Sequence, residues 1–79
     1  MGDLCDIKYI EREDGVIFHV DDLVKHFKGN IYKIIGFARD CENLDVLVVY
    51  KDVNKNLIWT RKVEDFLSKK GEVWRFEKL

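Results

Sequence analysis

Seventy-nine residues, 47% of them hydrophobic, make one small domain with enough apolar surface for a packed core, which excludes a disordered chain. No proline, only two cysteines and no apolar run near the roughly 20 residues of a membrane span exclude an extended linker, a disulfide scaffold and a transmembrane helix. The net charge of −1 is unevenly spread, −5 over residues 1–22 and +4 over the remainder, which suits solvated faces, steering of a partner or pairing of two copies.

Along the chain the apolar residues recur with period two between turn signals, which predicts an all-β pattern. A first hairpin is expected over residues 7–20 around Arg12, Glu13, Asp14 and Gly15. A four-residue loop there sets Ile7 opposite Val20 and Tyr9 opposite Phe18, and gathers Ile7, Tyr9, Val16 and Phe18 on one face. Moving the register by one scatters them. Residues 1–21 thus read as an acidic N-terminal extension packed on the main domain, residues 22–79. Residues 23–27 suit a strand but also a helical turn. Lys28, Gly29 and Asn30 turn the chain into a strand over residues 31–38, bent at Gly36. Residues 39–45 are a polar connection, and the β-branched and aromatic run 46–50 is the plainest strand. Residues 52–56 turn it back into a strand over 57–60.

The period then changes. Val63, Phe66 and Leu67 stand at i, i+3 and i+4, with Glu64 and Asp65 early, Lys69 and Lys70 late, and Gly71 following. That charge order matches the helix dipole and predicts a short helix between residues 62 and 69. Residues 72–76 close as a last strand. The whole is a mainly β fold, a small SH3-like barrel with one short helix before the last strand.

His26, Phe27, Lys28 and Gly29, then Tyr32, Ala38, Glu42, Val48, Val49, Tyr50, Trp59 with Arg61, Phe66, Arg75 and Phe76 form a joint spacing. It resembles the bacterial domain-of-unknown-function family 1653, small proteins whose fold is an SH3-type barrel. The resemblance covers roughly residues 20–77, implies that barrel and brings no established activity. Asp21 and Val24 stand where the family usually has a glycine and a tyrosine, Lys62 where it has a proline, and Asn54 where it has an aromatic residue.

The residues argue against catalysis. There is no nucleophile–base set in recognisable surroundings, no glycine-rich phosphate loop and no His-x-x-x-His or Cys-x-x-Cys metal pair. His19 and His26 with Asp21 or Asp22 make a weak metal candidate. Either histidine reads more simply as a hydrogen-bonding strand residue, so no cofactor or metal is expected. Cys5 and Cys41 read as reduced thiols, and the acidic start does not read as a secretory signal, which together suggest a cytoplasmic protein with no membrane partner.

Binding is better supported. Trp59 and Arg61 alternate on one strand and leave the same face, offering a π-surface beside a planar cationic fork. The alternative places Trp59 in the core and leaves Arg61 as a surface charge or a partner of Glu42. His26, a titratable neighbour of Lys28, and Tyr50 flank the pair in the expected site, with Trp74, Arg75 and Phe76 on neighbouring strands. The expected function is a non-enzymatic binding module that senses or sequesters a small anionic or nucleotide-like ligand, such as a signalling nucleotide in a bacterium or phage. A protein partner taken up by a barrel edge or aromatic groove is the alternative, and nucleic acid is third for want of a continuous basic stripe. A symmetric homodimer is the expected assembly.

Overall fold

Alternating apolar and polar residues become nine short strands and one helical turn in the computed structural model, which describes residues 7–79. Strands β1 (Tyr9–Glu11) and β2 (Ile17–His19) pair as an antiparallel hairpin. Strands β3 (Leu23–His26), β4 (Ile31–Arg39), β5 (Val46–Asp52) and β6 (Ile58–Lys62) follow as an antiparallel meander. Helix α1 (Val63–Phe66) leads into a small ladder of β7 (Lys69–Lys70) and β8 (Val73–Trp74), and β9 (Phe76–Lys78) returns to pair with β3. The main sheet has the order β6-β5-β4-β3-β9. The fold is therefore mainly β with one short helix before the final strands. Its main sheet is open, with β6 and β9 as its two ends.

One face of that sheet is the core. Val24, Ile34, Phe37, Val48, Tyr50 and Phe76 are all buried on it. Between Ile34 and Gly36 the ladder to β5 shifts by one, so Ile35 is the extra residue of a bulge and stays exposed. Helix α1 spans the open side. Its Phe66 ring stacks on Phe76 of β9 at 4.2 Å and 11°, and meets Tyr50 of β5 at 5.7 Å. Phe18 of the hairpin meets the same Phe66 ring edge-on at 5.7 Å. Each fully buried phenylalanine contributes about 1.5–3 kcal/mol of apolar transfer, so these rings hold together what strand pairing leaves open.

The hairpin corrects one expectation. Its register is Tyr9↔His19, Ile10↔Phe18 and Glu11↔Ile17, one residue away from the pairing that the apolar pattern favours. The turn decides this. The Arg12 N–H donates to the Val16 carbonyl and the Gly15 N–H to the Arg12 carbonyl, both at 2.8 Å. Arg12 thus belongs to the strand, and the loop is only Glu13, Asp14 and Gly15, with Gly15 at φ 95°. Ile10 turns inward at 7% exposure while Tyr9 turns out at 53%.

Arg12 is the next inward residue of that strand and is only 4% exposed. Its guanidinium grips Asp14 with two bonds of 2.9 and 3.0 Å, approaches Glu77 at 3.5 Å and lies 4.1 Å from the Trp74 ring centroid. Hydrogen bonding to Asp14 raises its pKa further, against the cost of burial. A third nitrogen donates to the Phe76 carbonyl at 3.0 Å. That carbonyl is on the outer edge of β9, because the bonds Phe27 N–H to Arg75 O and Leu79 N–H to Leu23 O put residues 75, 77 and 79 toward β3. Lys78 also reaches back to the Ile17 carbonyl at 2.7 Å. The hairpin is therefore fastened over the β9 end of the sheet.

Two further expectations change near the C-terminus. The helix is four residues long rather than filling 62–69, because Arg75 N–H bonds the Ser68 carbonyl and draws the chain after Leu67 into the β7–β8 ladder around Gly71. The last strand breaks at Arg75, and its final part runs to Lys78. At 23–26 the chain is strand, not helical turn, closed by His26 N–H to Asn30 O at 2.8 Å with Gly29 at φ 113°. Cys41 is an exposed free thiol, and Cys5 lies outside the described residues. Among the described residues no helix is long and apolar enough to cross a membrane.

Candidate functional site

Period two along β6 places Trp59 and Arg61 on one face, and the pairing Tyr50↔Trp59 and Val48↔Arg61 makes it the core face. At that end of the sheet the apolar interior gives way to polar and aromatic groups from five strands. Phe76, fully buried, is the floor. His26 meets its ring at 5.0 Å, Tyr50 at 5.4 Å and Tyr32 at 6.0 Å, and the Arg61 guanidinium lies 5.9 Å from its centroid. Tyr32 and Tyr50 meet edge-on at 5.1 Å. The Arg61 Nε donates to the Tyr50 hydroxyl at 3.2 Å, which anchors one donor of the guanidinium and leaves its two terminal nitrogens for other partners.

Of the four residues expected to form the site, Arg61 and Tyr50 thus touch, and His26 joins them through Phe76 and Tyr32. Trp59 lies at the rim, opposite Tyr50 across the strands and 50% exposed, so the core alternative for Trp59 does not apply. Glu42 is not a partner of Arg61 among the described residues; its backbone N–H bonds Asp40. The face is an open platform rather than an enclosed pocket. Two clefts, of about 240 and 400 Å³, lie toward Trp74, and only His26 of the four lines either of them.

The electrostatics of the platform centre on His26. Its Nδ1 accepts the Lys28 backbone N–H at 3.2 Å, which leaves the ring proton on Nε2 when the imidazole is neutral. Burial lowers its pKa, and the positive charges of Arg61, Arg75 and Lys28 lower it further. Arg75 is the residue that alternation alone would send to the opposite face. The bend between β8 and β9 brings it round instead, with its Nε donating to the Ser68 hydroxyl at 3.2 Å. Among the described residues neither Arg61 nor Arg75 has a carboxylate within 4.0 Å, whereas Arg12 and Lys33 do. Near the aromatic floor Arg61 and Arg75 therefore have no direct ion pair among the described residues. No group of three potential metal ligands occurs among the described residues.

A family model described as "Protein of unknown function (DUF1653)" matches residues 22–78, well over half of the chain. The chain belongs to this family. The DUF1653 region runs from the start of β3 to the end of β9 and includes every platform residue, while the β1–β2 hairpin with Arg12 lies outside it. No curated protein and no solved structure matches the chain.

Proposed function

We propose that the platform binds a small anionic, nucleotide-like ligand, without turnover. The observation that supports this is the placing of Arg61, Arg75 and Lys28 around His26, with no carboxylate within 4.0 Å of either arginine among the described residues. A cluster of like charges raises the free energy of the empty site, and an anion relieves it. Two guanidinium forks suit the paired oxygens of a phosphate or carboxylate. The exposed Trp59 ring beside them suits a planar group attached to that anion. Binding without reaction agrees with the setting of His26, whose Nδ1 takes a backbone N–H instead of an orienting carboxylate and whose basicity its neighbours reduce.

The test is a thermal-shift and calorimetric titration with inorganic phosphate, then with nucleoside mono- and diphosphates. Arg61→Lys keeps the charge and loses the fork, so affinity should fall about tenfold or more while the melting temperature changes little. Trp59→Ala should weaken nucleotides but not inorganic phosphate. If no anion raises the melting point of the wild-type protein, the reading is wrong.

A further inference from the structure

The two ends of the main sheet are treated differently. The β9 end is covered, since Arg12 takes the outward Phe76 carbonyl and the hairpin lies over it. The β6 end has no strand beside it among the described residues. Asp52 N–H bonds the Leu57 carbonyl, so by antiparallel alternation Tyr50↔Trp59 and Val48↔Arg61 are also hydrogen-bonded pairs. The N–H and C=O groups of Ile58, Thr60 and Lys62 therefore point away from β5. Ile58 and Trp59 on β6, and Leu57 just before it, are all exposed, Ile58 at 62%. An apolar edge strand with a row of unused backbone groups is a template for another strand.

The side chains along this edge are complementary to themselves. In an antiparallel pairing of two β6 strands centred on Thr60, the two Thr60 residues exchange N–H to C=O bonds, and Ile58 pairs with the partner's Lys62. Trp59 then faces the partner's Arg61 across a pair without hydrogen bonds, where side chains come closest, and can stack on its guanidinium. No two cations stand directly opposite each other. Followed beyond the strands, the same register carries Lys55 of the partner subunit, in the β5–β6 turn, toward Glu64 and Asp65 in the first turn of α1. We infer that the protein forms a two-fold dimer through β6, which joins two five-stranded sheets into one and turns their aromatic platforms to the same side.

Sedimentation velocity on the full chain, from low to high micromolar concentration, tests this with phosphate binding followed in parallel. Wild-type protein should shift from monomer to dimer. Thr60→Pro removes an outward N–H that β5 does not use, so it should raise the dimer dissociation constant about tenfold or more and leave far-UV dichroism unchanged. Ile58→Lys sets a lysine opposite the partner's Lys62 and should weaken the dimer, whereas Ile58→Glu sets opposite charges there and should weaken it far less. A wild-type chain monomeric at high micromolar concentration, a dimer insensitive to Thr60→Pro, or equal effects of Ile58→Lys and Ile58→Glu would overturn the proposal. Failure to bind phosphate counts only against the anion site.

Discussion

Replacing Arg12 by methionine should destabilise the protein well beyond the loss of a surface charge. Methionine keeps most of the buried stem and removes only the guanidinium, so the packing of Ile10 and Phe18 is preserved. Asp14 and Glu77 are 38% and 58% exposed and return to water at little cost, so their ion pairs contribute little to the balance. The Phe76 carbonyl has no such escape, because it accepts its bond from Arg12 in a buried setting. Leaving it unpaired costs about 1–3 kcal/mol, and losing the cation over the Trp74 ring costs about another 1 kcal/mol. The expected loss is about 2–4 kcal/mol, which in a domain of this size lowers Tm by roughly 10–25 °C. Arg12→Lys, which retains one charged donor, should fall between. Urea titration monitored by tryptophan fluorescence measures the loss. An Arg12→Met protein within about 0.5 kcal/mol of wild type would show that the hairpin is held by its rings alone.

The low pKa of His26 implies a stability that declines on mild acidification. The folded state resists the proton that the unfolded chain accepts, so the contribution is full above the ordinary histidine range and is lost as pH falls through and below that range. Urea titrations across that window should show this slope, and His26→Gln should flatten it; an unchanged slope in the variant would assign the effect elsewhere. Leu44 is exposed in the connection between β4 and β5 at φ 64°, a conformation costly for a branched side chain. Leu44→Gly should raise stability by about 0.5–1 kcal/mol in the same assay, and a loss would contradict the strain argument.

Strands β4, β5 and β6 of the meander were legible because strand-forming runs and turn residues agree there, whereas residues 23–27 suited a helical turn as well as the strand they form. The first hairpin was legible as a hairpin but not in its register, since the choice hangs on whether Arg12 is counted in the turn. A buried arginine reads as a loop residue until its partners at Phe76, Glu77 and Trp74 are known, all more than sixty positions away. Trp59 and Arg61 shared a face in the sequence as they do in the structure. Arg75 did not, because a bend of one residue between Trp74 and Phe76 reverses the side to which alternation assigns it. The helix was recognised by its spacing but overestimated, as the lysines that suited its last turn belong to β7.

The return of β9 to β3 has a consequence for how the chain is made. On a ribosome the hairpins of β3 to β6 can form as they emerge, since each strand meets a neighbour close behind it in the chain. Strand β3 must wait for Phe76, Glu77 and Lys78, far along the chain, before its second side is filled. The Phe66–Phe76 stack and the bond from Arg12 wait with it. A chain in which β9 has not yet docked therefore holds a nearly complete but uncovered sheet, and the step that closes the core follows the pairing of the meander.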